Sequence, residues 1–373
     1  MNQKKYGPGS QRKKSGDNIS KYSLSSLTMN KMPNNRLHTT LKKYSTIVFV
    51  GGGTGGHIQP IVSIIRMYKG SKKLFWIGGK NSNEKNTAKS IDIDFFEVST
   101  LKLSTTKSLK ILLYPFVLLW GIFQAIGILK NIKKNDTNIC VFSKGGPGAL
   151  AIGIAAWIAK IPLYIHESDT IPGRSNQVLS RFAEAVFLGF ESAKQYFSCK
   201  NIYSVGQILD PVFFEKQKET QNPWKTDKPH LFVLCGSQGA RSIFQEITEH
   251  LPSLAKKYEI CIILGKLNTT MRKEFENKKI GANLLHIFDW MEQDTLTHWL
   301  SHTDLAITRG SATSLAELDV FGIKKIIIPL PSAAKNHQYS NAKEYEEKGD
   351  ILLEQKDIHT LLDTLSQITP IEK

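Results

Sequence analysis

Apolar residues along this chain fall into short β-branched runs, separated by longer stretches with helical spacing. Between residues 45 and 206 the strand-like runs are 46–50, 73–77, 93–98, 139–143, 162–166, 185–188 and 202–205, and helical runs fall between most of them. The alternation resumes at 230, with strands expected at 230–235, 260–264, 284–288, 305–308 and 324–330. Such a pattern predicts an α/β protein with two parallel, doubly wound sheets. The polar stretch between them, 207–229, reads as a linker, so the domains are 45–206 and 230–373. The last helix, about 357–368, is free in this scheme to cross back to the first domain.

Two stretches break the alternation. Residues 1–44 are rich in Lys, Ser and Asn and contain no apolar run, so a disordered basic tail is expected; a basic, acid-poor start also describes an organellar transit peptide. Residues 111–129 are the most hydrophobic stretch and are flanked by Lys107, Lys110, Lys130, Lys133 and Lys134. With Pro115 in the first turn, the expected helix runs from Phe116 to Leu129. At 1.5 Å per residue it is roughly 21 Å long, short of the roughly 30 Å hydrocarbon core of a bilayer. A helix that packs on the sheet and shows an apolar, lysine-rimmed patch to an anionic membrane surface suits this stretch, with a buried core helix as the alternative.

Composition narrows the class. Apolar residues make up 41% and charged residues 22% of 373 positions, as in soluble two-domain proteins. The net charge is +16, but residues 1–44 hold ten Lys or Arg against Asp17, a net of +9, which leaves +7 for the remainder. Much of the basicity is therefore a tail, and no nucleic-acid partner is expected. The four cysteines are far apart with no CxxC pair, which indicates neither zinc nor a disulfide framework. Asp92-x-Asp94 opens a strand, and no metal or cofactor is expected.

Candidate chemistry gathers where strands end. Gly51-Gly-Gly-Thr54-Gly-Gly56-His57 joins a strand to a helix. Such a loop lets a ligand approach the backbone and offers helix N–H groups to an anion. It matches the dinucleotide fingerprint only formally, since no acidic residue ends the next strand. His57 either caps the helix or acts as a base, kept neutral by the helix start. A second glycine loop, Ser143-Lys-Gly-Gly146-Pro-Gly, belongs to the same sheet, and two such loops on one edge would face one crevice. His166, Glu167 and Asp169 end another strand. In the second domain, Gly236-Ser-Gln-Gly-Ala-Arg241 and Arg309-Gly-Ser-Ala-Thr313 open helices, the latter carrying Glu317. Pro329-Leu-Pro331 precedes His337-Gln338-x-x-Asn341-Ala342.

In order and spacing over about residues 45–355, these runs resemble the MurG family of UDP-GlcNAc:muramyl-(pentapeptide)-pyrophosphoryl-undecaprenol N-acetylglucosaminyltransferases. The resemblance implies a GT-B fold with the active site between two Rossmann-like domains. It implies that UDP-GlcNAc docks mainly on the second domain. Ser237 and Gln238 would line the diphosphate and nucleoside region, and the backbone at Phe288 would meet uracil. Glu317 would take the ribose hydroxyls, Ala312 and Thr313 would border the sugar and phosphates, and Gln338 and Asn341 would face the GlcNAc hydroxyls. Thr54, Gly55, Gly56 and Asp169 would border the donor from the first domain. Gly52, Gly53, Gly145 and Gly146 would hold the diphosphate of the undecaprenyl-linked muramyl-pentapeptide acceptor. The implied reaction is inverting transfer to the muramyl 4-hydroxyl of lipid I, giving lipid II, with His57 as base and Glu167 as runner-up. The place of action would be the cytoplasmic face of the cell membrane. Rival readings are a UDP-GlcNAc 2-epimerase on the same fold and an inactive membrane-bound paralogue. Asp169, Pro147 and Asp210 depart from the family pattern, and Asp210 would put a negative group near the diphosphate.

Overall fold

The computed structural model describes residues 35–100, 110–215, 222–236, 240–265 and 267–368. Among them, β1 (Thr46–Gly51), β2 (Lys73–Gly79), β3 (Asp94–Val98), β4 (Ile139–Gly145), β5 (Leu163–Glu167), β6 (Ala185–Leu188) and β7 (Ile202–Ser204) form one parallel sheet, ordered β3-β2-β1-β4-β5-β6-β7. A second parallel sheet is ordered β10-β9-β8-β11-β12-β13, from β8 (His230–Leu234), β9 (Glu259–Ile263), β10 (Leu285–Phe288), β11 (Leu305–Thr308), β12 (Lys324–Ile327) and β13 (Ile351–Leu352). The expected strands are all present. Only β13, two residues long, is too short to leave a pattern.

Helices cover both faces. They are α1 (Asn35–Lys42), α2 (Gly55–Tyr68), α3 (Asn83–Ser90), α4 (Lys110–Asn135), α5 (Ala149–Ile158), α6 (Arg174–Leu179), α7 (Arg241–Lys257), α8 (Arg272–Glu276), α9 (Gln293–Leu300), α10 (Ala312–Asp319), α11 (His337–Glu346) and α12 (Leu361–Gln367). Strand order reverses between β1 and β4 in the first sheet and between β8 and β11 in the second. At such a switch point the two outgoing loops run to opposite faces and leave a crevice between them. Both glycine loops of the first domain leave from β1 and β4. Ile47, Phe49 and Phe142 pack on one face of this sheet, and Val48, Val50 and Val141 on the other. This is the two-sided burial that a continuous apolar strand requires.

Four expectations change. Residues 35–42 are not part of a structureless tail: they form α1, and Leu37 and Leu41 are fully buried against the first sheet. Helix α4 is 26 residues long, not the fourteen from Phe116 to Leu129. Pro115 lies inside it, where the missing N–H costs the ladder one bond without ending the helix. At 1.5 Å per residue α4 is about 39 Å long, and it is long and apolar enough to cross a membrane by length and composition. Its packing decides otherwise for one face: Ala125, Leu129 and Ile132 are buried in the first core, and Gln124 Oε1 accepts from Ser99 N at 2.8 Å. Helix α12 does not return to the first domain; Leu361 and Leu365 sit in the second core, where Tyr258 donates to Leu365 O at 3.3 Å. Finally, the stretch read as linker is partly core: Leu209, Val212, Phe213 and Trp224 pack with Phe232 of β8.

Candidate active site between the two switch points

The first glycine loop is held from below by a carboxylate. Glu84 of α3 is 2% exposed, and its oxygens accept from Gly53 N at 3.2 Å and Gly79 N at 3.4 Å. A Cβ on Gly52 would lie 2.2–2.4 Å from that carboxyl group, so only glycine fits there. The second loop abuts the first: Gly146 has φ +89°, and a Cβ on it would come within 2.5 Å of Gly52 O. Thr54 precedes the first turn of α2, where Gly55 and Gly56 present N–H groups without partners in the helix ladder.

His57 is half-buried beside this junction. Its Nδ1 lies 3.1 Å from Gly52 O and 3.3 Å from Thr54 Oγ1. A carbonyl only accepts, so Nδ1 carries the proton and the Nε2 lone pair of the neutral ring remains for a substrate. Burial, and then the charge of Lys144, push the His57 pKa below its usual 6.5.

Lys144 owes its position to a bulge. Val50 pairs with Ser143 and Gly51 with Gly145, which leaves Lys144 as the extra residue of β4. Its side chain is buried, and Nζ donates to His166 Nδ1 and Ser168 Oγ, both at 2.6 Å. Burial lowers the ammonium pKa to about 8, against the attraction of Glu167 and Asp169. His166 donates from Nε2 to Gly206 O at 3.0 Å. With Nδ1 accepting from lysine the ring is neutral, and burial and the Lys144 charge hold its pKa far down.

Glu167 is buried with both oxygens engaged. Oε1 accepts from Asp169 N at 3.1 Å, and Oε2 from Gly173 N at 3.1 Å and Asn176 Nδ2 at 2.9 Å. Burial, and then Asp169, raise its pKa. It braces the loop 168–173.

On the second sheet, Ala312 is buried and Thr313 half-buried in the first turn of α10. Ser311 precedes them without a side-chain capping bond, so this helix start keeps free N–H groups. Phe288 ends β10; its carbonyl accepts from Leu264 N at 2.9 Å and its ring meets Trp299 edge-on. Gln338 Oε1 accepts from Leu330 N at 3.0 Å. Asn341, expected at the sugar, is fully buried, and its amide is bonded to Asp169, Thr170 and Gly310. Ser237 and Gln238 lie outside the described residues. Glu317 is half-buried; burial, and then the charge of Asp210, push its pKa up to about 8.

Asp210 is not an isolated negative group. Its Oδ2 pairs with Arg66 Nη1 of α2 at 2.5 Å, and Oδ1 accepts from Val212 N at 3.2 Å. Arg309 does not face a ligand: its guanidinium donates to Ile328 O, Pro329 O, Gln355 Oε1 and Ser242 Oγ. Sequence reasoning assigned nothing to Glu84, Arg66 and Lys144. Lys144 alone left a signal, a lysine at the end of an apolar strand.

Comparison with known proteins follows this geometry. Residues 47–188 match the glycosyltransferase family 28 N-terminal domain, and residues 230–372 match its C-terminal domain. The chain is 32% identical over 318 residues to the UDP-N-acetylglucosamine–N-acetylmuramyl-(pentapeptide) pyrophosphoryl-undecaprenol N-acetylglucosamine transferase of Clostridium tetani, covering 84% of this chain and 86% of that one. It is 31% identical to the Legionella pneumophila (strain Lens) protein of the same name, covering 82% of each. In fold it is similar to the crystal structure of Acinetobacter baumannii MurG, with TM-score 0.65 and 21% identity over 87% of this chain and 91% of that one. It is also similar to the UDP-GlcNAc 2-epimerase of Neisseria meningitidis bound to UDP-GlcNAc, with TM-score 0.56 and 15% identity over 86% of this chain and 91% of that one.

Proposed function

The chain belongs to the MurG family within glycosyltransferase family 28, and on that premise we propose that it transfers GlcNAc from UDP-GlcNAc to the 4-hydroxyl of the muramyl sugar of lipid I, giving lipid II. The observation that carries the active-site assignment is His57. It stands at the junction of two touching glycine loops, with Nδ1 held by Gly52 O and Nε2 left as an acceptor.

In this reading His57 Nε2 takes the proton of the 4-hydroxyl as its oxygen bonds to the anomeric carbon of GlcNAc. The bond from that carbon to the β-phosphate oxygen breaks, and UDP leaves with the electron pair. The sugar passes through an oxocarbenium-like state, as in glycoside hydrolysis. Free N–H groups at the start of α10 meet the charge that develops on the leaving diphosphate. Glu317 holds the ribose, Phe288 borders the uracil, and Gln338 reaches the sugar with its amide nitrogen. The glycine loops and the start of α2 receive the acceptor diphosphate, and the Lys144 ammonium beneath them adds positive potential. Glu167 keeps the loop 168–173 in shape.

The acceptor is a lipid, so the first domain must meet a membrane. Leu113, Phe116, Leu119, Trp120 and Phe123 of α4 are 56–71% exposed, opposite the buried stripe of Ala125, Leu129 and Ile132. Trp157 and Ile158 of the neighbouring α5 are also exposed. Such an apolar face supports docking on an anionic bilayer surface, at the cytoplasmic side of the cell membrane. The test is transfer of labelled GlcNAc from UDP-GlcNAc to a lipid I analogue. Formation of labelled lipid II supports the reading. Conversion of UDP-GlcNAc without acceptor would instead indicate an epimerase.

A further inference from the structure

The two halves meet through one saturated side chain. Asn341 of α11 accepts at Oδ1 from the N–H and the hydroxyl of Thr170, each at 3.0 Å. Its Nδ2 donates to Asp169 Oδ1 at 2.8 Å and to Gly310 O at 3.1 Å. Asp169 and Thr170 follow β5 of the first sheet, whereas Gly310 follows β11 of the second and leads into α10. A primary amide has two N–H donors and one oxygen with two lone pairs, so all of this one are used. The residue is 0% exposed. A ligand hydroxyl could reach it only by displacing a protein partner and leaving that partner unpaired. Two further contacts lie on the same seam: Lys335 Nζ donates to Pro172 O at 3.0 Å, and the Phe190 ring meets Tyr345 edge-on.

We propose that Asn341 is a positioning residue that latches the first domain's 168–173 loop onto the start of the donor helix α10, and that it does not contact the sugar. The bonds run unbroken from Glu167 through Asp169 and Asn341 to Gly310. When they form, the helix start that meets the leaving diphosphate is held at a fixed distance from the sheet that carries His57. The consequence for turnover rests on the glycosyl-transfer reading; the latch itself can be observed without turnover.

The experiment uses the full chain. Hydrogen exchange of the Thr170 amide, whose proton goes to Asn341 Oδ1, reads the latch directly; Asn341→Ala should speed it at least tenfold, the loss of about 1.4 kcal/mol of protection. For kinetics, Asn341→Asp removes both donors and sets a second carboxylate against Asp169. The kcat should fall about tenfold or more, with the ratio of UDP-GlcNAc to UDP affinity unchanged. Adding Asp169→Asn returns an N–H to the new carboxylate and should restore kcat to within about threefold, a coupling that independent sites do not show. Unchanged Thr170 exchange in Asn341→Ala would overturn the latch. So would a tenfold loss of preference for UDP-GlcNAc over UDP in Asn341→Asp that Asp169→Asn fails to repair, because that pattern marks a sugar contact. If the wild-type chain transfers no GlcNAc but Thr170 protection still depends on Asn341, the functional reading falls and the latch stands.

Discussion

His57 shows how one tautomer sets a role. The Gly52 carbonyl fixes the proton on Nδ1, and burial beside Lys144 keeps the ring neutral below its usual pKa of 6.5. A positioned base contributes about 10²–10⁴-fold to rate. We expect His57→Ala and His57→Asn to lower kcat by similar factors in that range, with little change in UDP-GlcNAc Kd, and the acidic limb of the wild-type profile to lie below pH 6.5 and vanish in both variants. Recovery of most of the rate by Asn would reduce His57 to orienting the acceptor. Glu317 poses the opposite case, an acid held protonated up to about pH 8 by burial and Asp210. Its folded pKa is above the ordinary 4.5, so ionisation works against the empty fold as pH rises between those values. Ribose hydroxyls donating to the carboxylate favour the charged form. UDP-GlcNAc affinity should therefore rise with pH and level off near 8. Glu317→Gln should flatten that dependence, and Glu317→Ala should lose about 1.5–3 kcal/mol of donor binding by calorimetry.

At the scale of elements, the two glycine loops act as one unit because their backbones touch. Gly146→Ala must adopt a left-handed conformation at about 1–3 kcal/mol and push Gly52 O away from a Cβ at 2.5 Å. A lowered melting temperature and lost acceptor turnover are the expected outcome, and a variant as stable and active as wild type would show that the loops can separate freely. Helix α4 divides by face. Leu113, Phe116, Trp120 and Phe123 recur at helical spacing on the exposed side, and Ala125, Leu129 and Ile132 on the buried side. Burying one large aromatic is worth about 1.5–3 kcal/mol. In a chain lacking residues 1–34, whose lysines would bind vesicles by themselves, Phe116→Ser with Trp120→Ser should cut sedimentation with anionic vesicles at least tenfold. Turnover of a soluble acceptor analogue should stay near wild type. Equal sedimentation would move the membrane contact elsewhere.

At the scale of the whole molecule, two sheets built alike are joined by few polar contacts, and these carry acidic groups. Asp210 moves with the second core, while its partner Arg66 belongs to α2 of the first domain. Burial raises the Asp210 pKa in spite of Arg66. Removing the guanidinium raises it further, and a raised acid costs more stability as pH climbs. Arg66→Met should therefore lower the melting temperature more at pH 8 than at pH 5; an equal drop at both would mean that the pair is not coupled to folding.

The sequence alone determined the local architecture. Strand runs, glycine loops after strands and the order of motifs led to two doubly wound domains, because periodicity and glycine placement act between near neighbours. The same runs marked Gly52, His57, Gly146 and Glu317 as residues at strand ends or helix starts. Tertiary structure decided what no periodicity encodes. Glu84 reaches the first loop from 31 residues away and Arg66 meets Asp210 across 144. Asn341 joins Asp169 across 172 residues, and becomes a buried strut where the motif suggested a sugar contact. It also decided the length of α4. Pro115 is a weak local stop, and the helix runs on through it because the far half of α4 is buried in the core. A polar contact needs one suitable side chain at one place, and only the folded chain supplies the place.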